Sequence, residues 1–158
     1  MNGRPRFRWS GGFTAVELMT VLAILAIVAV TMGPQLRPLI GLVQLRMASY
    51  DLTSDLLLAR SEALKRTAAV RVAPRSGTAW TSGWSVTTSG VDTPLSQRNS
   101  LGYAVTASTA PTSVTFDING RVNATGVVRF GFTNGRSHRC ISLDPSGRPR
   151  TSTSACPT

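Results

Sequence analysis

From Leu18 to Leu36 the chain carries no charged side chain, and nothing else in it limits the fold so severely. A helix of about 20 apolar residues crosses about 30 Å of hydrocarbon, so the run predicts a membrane-spanning helix. Arg4, Arg6 and Arg8 precede it, followed by Gly11 and Gly12. Cations flanking a span stay on the cytoplasmic side, which sends the rest of the chain outward. A secretory signal carries its small-residue cleavage site after the apolar region. Here the best processing site, Gly12-Phe13, lies before it, so cleavage would remove the basic leader and keep the anchor.

Glu17 stands alone at the start of the apolar run. A carboxylate at mid-bilayer costs up to about 3 kcal/mol and therefore needs a partner. Two readings are open. Glu17 lies near the headgroups and favours the helix N-terminus electrostatically, or it pairs with the new α-amino group of Phe13 on a neighbouring chain.

The stretch "GGFTAVEL", after a basic leader and before the apolar run, resembles the prepilin signature of the type IV pilin and type II secretion pseudopilin superfamily. The resemblance implies that a prepilin peptidase cuts after Gly12. Phe13 then becomes the methylated N-terminus, and Glu17 guides assembly with other pilins from the inner membrane into a filament.

Past the anchor, Gly33, Pro34, Pro38 and Gly41 predict a kink or looser turn. Helical periodicity then resumes, with Leu45, Ala48, Leu52, Leu56, Ala59 and Ala63 on one face. Glu62 and Arg66 form an i,i+4 pair away from that stripe. A continuous helix from Phe13 to Arg66 would be about 80 Å long at 1.5 Å per residue. Its second half must bury its stripe against a sheet. After about Ala69 the composition changes to Thr, Ser, Val and Gly. Trp84 and Val86 alternate, as do Val114, Phe116 and Ile118, and then Val128, Phe130 and Phe132 before an Asn-Gly turn and a further strand. These are the marks of an antiparallel β head, with 87–113 as a mobile loop or irregular edge strands. The expected fold is α+β: a pilin fold with a long N-terminal helix on an antiparallel sheet. Its segments are a leader at 1–12, a transmembrane helix at 13–33, an amphipathic helix at 34–68 and a periplasmic head at 69–158.

The formal charge is +10, and arginine supplies 16 of the 17 cationic side chains. From Arg71 onward nine arginines face Asp92, Asp117 and Asp144, a net +6 in the head alone. That excess suits a polyanionic partner; the alternative is arginine used wherever a solvated surface needs charge. Two cysteines and one histidine are too few for a structural zinc site. His138 has no carboxylate obviously placed to orient it, so no catalytic triad is expected. No Walker-type phosphate loop is present. The sequence thus predicts no enzyme and no cofactor.

Helix-then-β order, the Gly-Trp stretch and Thr115, Phe116, Asp117, Gly120 and Arg121 are similar to the FimT/GspH branch of the superfamily. Gly147-Arg148-Pro149-Arg150 fits the Gly-Arg-x-Arg pattern near the C-terminus of FimT-type minor pilins, which bind DNA for the competence pilus. The resemblance makes Gly147, Arg148 and Arg150 the DNA-binding turn, and Arg121, Arg136 and Arg139 could widen the patch. Residues i and i+2 of an extended segment point the same way, and guanidinium forks suit phosphate. No aromatic cluster accompanies these arginines, so backbone contact with little sequence preference is expected. Three phosphate contacts would give a salt slope of about −3. An oxidising periplasm would let Cys140 and Cys156 form a disulfide around this basic tail. Two functions follow. One is a DNA-binding minor pilin acting in natural transformation. The other is a GspH-like secretion pseudopilin or pilus-initiating minor pilin without DNA affinity.

Overall fold

The computed structural model describes residues 12–157; the basic leader with Arg4, Arg6, Arg8 and Gly11 lies outside them. The chain forms two compact units, Met1–Arg37 and Pro38–Thr158. Helix α1, Ala15–Arg66, contributes to both. In the first unit the Thr14 hydroxyl accepts the Glu17 N–H at 3.2 Å, which satisfies one of the orphan donors of the first turn. Glu17 is the acidic residue of that turn, where a negative charge is favoured by the positive end of the helix dipole. Ala15–Met32 is long and apolar enough to cross a membrane.

The helical assignment runs unbroken through Pro34 and Pro38, so the expected loosening does not go as far as a non-helical turn. Each proline removes one backbone donor; the two stand one turn apart, and the residues between them carry the helix onward.

In the second unit, Leu45, Ala48, Leu52, Leu56, Ala59 and Ala63 are all buried, as the periodicity requires. Another side of α1, with Val43, Met47, Tyr50, Leu57 and Leu64, is exposed. Arg66 Nε donates to the Glu62 carboxylate, confirming the i,i+4 pair. Eight strands follow: β1 (Val70–Pro74), β2 (Trp84–Thr88), β3 (Ser96–Gln97), β4 (Thr106–Thr109), β5 (Val114–Phe116), β6 (Val128–Thr133), β7 (His138–Leu143) and β8 (Pro149–Ser152). They form two four-stranded sheets, in the orders β3-β2-β1-β5 and β4-β6-β7-β8, and every described pairing is antiparallel. The architecture is α+β, a long helix with antiparallel sheets, as expected for the pilin resemblance. Region 87–113 does contain irregular edge strands, β3 and β4.

Trp80, Trp84, Phe116, Phe130 and Phe132 join the helix stripe in one core. Trp80 meets Phe130 edge to face, with centroids 4.8 Å apart. Asp55 is the one buried acid of the described core, 2% exposed. It accepts from Trp84 Nε1, Ser96 Oγ and Arg98 Nε, each at 2.9 Å. Three donors offset the cost of burying its charge, and they fasten the β2–β4 connection to the helix. Arg98 also lies 3.5 Å from Asp51. Its carboxylate partners, Asp55 first, hold the guanidinium pKa above its ordinary value.

Ile118 departs from the sequence reading. β5 ends at Phe116 and Ile118 is exposed, because Asp117 turns the chain. Its backbone N–H donates to Arg121 O at 2.8 Å and its carbonyl accepts Gly120 N–H at 2.9 Å.

Candidate nucleic-acid interface

The basic tail is a strand hairpin rather than a free loop. β8 pairs with β7 in the register Leu143↔Pro149, Ser142↔Arg150, Ile141↔Thr151 and Cys140↔Ser152. Asp144 closes the turn between them: its carbonyl accepts Gly147 N–H at 2.9 Å and its N–H donates to Arg148 O at 3.3 Å. This is a three-residue hairpin with a left-handed glycine, Gly147 at φ +78°. The Asp144 carboxylate also accepts Arg148 N–H at 3.2 Å and the Ser146 hydroxyl. These bonds, the Ser146 hydroxyl first, hold its pKa below the usual carboxylate range, with a smaller contribution from the Arg150 charge and some opposition from desolvation.

The same device occurs twice. In Asp117-Ile118-Asn119-Gly120-Arg121 the Asp117 carboxylate accepts Arg121 N–H at 2.9 Å, and Gly120 is left-handed at φ +68°. The two turns lie against each other. Val122 N–H donates to Pro145 O at 3.1 Å, and Arg60 Nε of the helix donates to Gly120 O at 3.3 Å. A Cβ at position 147 would collide with Gly120 O and press on Arg60 Cδ and Phe116 at 3.2 Å. The glycine of the Gly-Arg-x-Arg pattern is therefore required by packing and by its backbone angle. The structure brings Gly147, Arg148, Arg150 and Arg121 to one end of the head.

Strand alternation sorts the side chains. Ile141 and Leu143 of β7 are buried in the core, so Ser142 and its partners across the ladder project outward. Arg150 is opposite Ser142, and Ser142 is opposite Arg129 of β6. Arg129 and Arg150 thus flank Ser142 on the outer face, about 10 Å apart at two strand spacings. Arg148, two residues before Arg150, is exposed on the same side. Sequence reasoning missed Arg129, because its nearness to the tail depends on strand register.

Arg136 and Arg139 fall elsewhere. Arg136 is in the β6–β7 turn, at the far end of β7 from Arg148. Arg139 is opposite Phe132, on the helix-facing side, where it lines a hollow with Arg46 and Thr151. No ion pair among the described residues involves Arg121, Arg129, Arg136, Arg139, Arg148 or Arg150.

Cys140 and Cys156 are joined in a disulfide, with Cα atoms 5.0 Å apart. Cys140 is on the outer face, opposite Gly131. A Cβ on Gly131 would lie 3.5 Å from the Cys156 sulfur, so the bridge folds the C-terminus back over the sheet beside the Arg129–Arg150 row. Among the described residues no group of three His, Cys, Asp or Glu side chains could hold a metal.

A family model described as type II transport protein GspH matches residues 48–147, over half of the chain. The fold is also similar to crystal structures of the Pseudomonas aeruginosa (strain PAO1) type IV minor pilin FimU. In one crystal form the TM-score is 0.62 at 26% identity, covering 72% of this chain and 93% of FimU. In a second form the TM-score is 0.60 at 27% identity, covering 72% and 98%. A comparison with curated proteins found no match.

Proposed function

The chain belongs to the GspH family of type II transport proteins, structural subunits of the type IV minor pilin and pseudopilin kind, and we propose that it is a minor pilin that binds extracellular DNA. It is a single-pass membrane-anchored pilin by its apolar helix and its family. In the proposed mature form, prepilin peptidase cuts between Gly12 and Phe13, Phe13 is methylated, and the head is exposed to the periplasm or on the assembled pilus. Glu17 directs assembly with neighbouring pilins, which also cover the exposed apolar side of α1.

The observation that carries the DNA reading is the outward row of Arg148, Arg150 and Arg129 on a hairpin end whose only acid, Asp144, is occupied with backbone and Ser146 donors. Guanidinium groups held without partners on rigid strands can grip phosphates without first breaking an ion pair. Arg121 on the adjoining turn extends the row. The contacts are to phosphate, so binding is weak, salt-dependent and indifferent to sequence. Such a grip suits capture and release during natural transformation.

The test compares the full-length chain in nonionic detergent with its Arg148→Gln/Arg150→Gln variant, using duplex DNA of about 20 base pairs at about 100 mM salt, where phosphate contacts still contribute strongly. Arg71→Gln/Arg75→Gln removes the same charge from β1 and its end, on the other sheet. The reading requires a clear loss in the first variant and little change in the second. Equal losses would reduce the effect to net charge. Absence of DNA binding by the unaltered chain would leave the GspH-like structural subunit, the reading that the family description favours.

A further inference from the structure

A second group of arginines lies beside the same hairpin, on its inner side. Arg46 of α1 and Arg139 of β7 line two adjoining hollows of about 230 and 430 Å³. The hydroxyl-bearing Ser49, Tyr50 and Thr151 line the smaller, and Arg136 reaches the larger. No carboxylate lines either hollow, and no ion pair among the described residues involves these three arginines. Three guanidinium groups around hollows without an acid create a positive potential that an anion relieves. Fork-shaped donors together with hydroxyls are the chemistry of phosphate recognition.

We infer that this groove is a second phosphate site, and that it holds phosphodiester groups of the polynucleotide engaged by Arg148 and Arg150. In its choice of ligand the inference rests on the DNA-binding reading above. β8 is the free edge of its sheet, so a ligand lying along it reaches both faces: Arg148 and Arg150 from outside, Arg139 and Arg46 from inside. The edge itself is suitable. Asp144 and Arg148 are a bonded pair of the ladder, and bonded pairs alternate, so the Thr151 N–H points away from β7 and toward such a ligand. Pro149, the other outward-turned position, has no N–H to leave unpaired. Along the β7–β8 ladder Arg139 stands three residues from Ser142, the partner of Arg150, and five from Asp144, the partner of Arg148, about 10 to 17 Å at 3.4 Å per residue. That is about three to five steps of duplex at 3.4 Å per phosphate of one strand. A lipid headgroup would fill one hollow, but would make no use of donors that continue along β8 to the turn.

The experiment measures the salt slope of DNA affinity for the full-length chain in nonionic detergent, by anisotropy of a labelled duplex from about 50 to about 200 mM salt. Arg46→Gln/Arg139→Gln is expected to lower the slope by about two and weaken binding about tenfold or more at about 100 mM. Arg46→Lys/Arg139→Lys should restore most of the slope, and circular dichroism should be unchanged in both. A slope matching that of Arg71→Gln/Arg75→Gln would overturn the inference. So would an unchanged slope with lost retention of phosphatidylglycerol from mixed micelles, which would assign the groove to a lipid. If Arg148→Gln/Arg150→Gln binds normally while Arg46→Gln/Arg139→Gln does not, the turn reading fails and the groove stands. If the unaltered chain does not bind DNA, both fall.

Discussion

Asp144 holds the backbone N–H of Arg148 in the same way that Asp117 holds that of Arg121, at 3.2 and 2.9 Å. Each carboxylate fixes the turn from which an arginine projects, and at Asp144 this ties presentation of Arg148 to the ionisation of the acid. The folded pKa of Asp144 is lowered. Its stabilisation is therefore complete above the unfolded carboxylate value, near 3.9, and is lost as pH falls through the lower folded value. The Arg148 amide resonance should be constant from about pH 5 to 8 and move only under stronger acid. Asp144→Asn, which keeps an acceptor oxygen, should retain the turn and abolish the acid transition.

Gly147 should tolerate no side chain. Its left-handed φ of +78° and the closeness of Gly120 O act together. Gly147→Ala is expected to cost about 1 to 3 kcal/mol, measured by urea denaturation, and to weaken DNA binding because Arg148 moves. Gly135→Ala makes a useful contrast: it shares the positive φ, but a Cβ there meets nothing within 4 Å, so it should cost less.

Asp55 is a stability residue. Removing its carboxylate leaves the donors of Trp84, Ser96 and Arg98 without their acceptor. Asp55→Ala should destabilise the head by about 2 to 4 kcal/mol, discounted for the partial exposure of Arg98. Amide exchange should accelerate first in the connection around Ser96 and Arg98. Affinity for DNA per folded molecule should be unaffected.

The disulfide should secure the tail more than it forms the site. Its sequence separation of 16 corresponds to about 3 kcal/mol in the loop-entropy model. In Cys140→Ser/Cys156→Ser, β8 keeps its pairing to β7 while residues beyond Ser152 exchange freely. Hydrogen exchange measured residue by residue checks this, and an intact tail in the variant would contradict it.

The helix and its buried stripe were legible because Leu45 to Ala63 recur at a period that only a helix satisfies, and several strands because alternation of Phe130 with Phe132 has no other economical reading. Whether the helix runs on through Pro34 and Pro38, as its assignment does, was not decided by the sequence, since the residue preference there argues for a kink or looser turn. Nor was the end of β5, where Ile118 completes an apolar alternation that Asp117 overrides by turning the backbone. β1 was missed too; only two buried valines mark it. For the site, the Gly147 to Arg150 pattern could be read directly, whereas Arg129, Arg46 and Arg60 become neighbours only through register and helix packing. The separation of Arg136 and Arg139 from Arg148 follows from strand length and face, which the mere abundance of arginine does not reveal.

Where phosphate meets the head decides the function. The direct measurement is nuclear magnetic resonance of the isotope-labelled full-length chain in detergent, titrated with a short duplex at low salt. Shifts at the backbone of Arg148 to Ser152 and at the guanidinium groups of Arg129, Arg148 and Arg150, with further ones at Arg121 and, from the inner groove, at Arg46 and Arg139, are the expected result. Shifts that avoid the β7–β8 hairpin, or none at all, would contradict it.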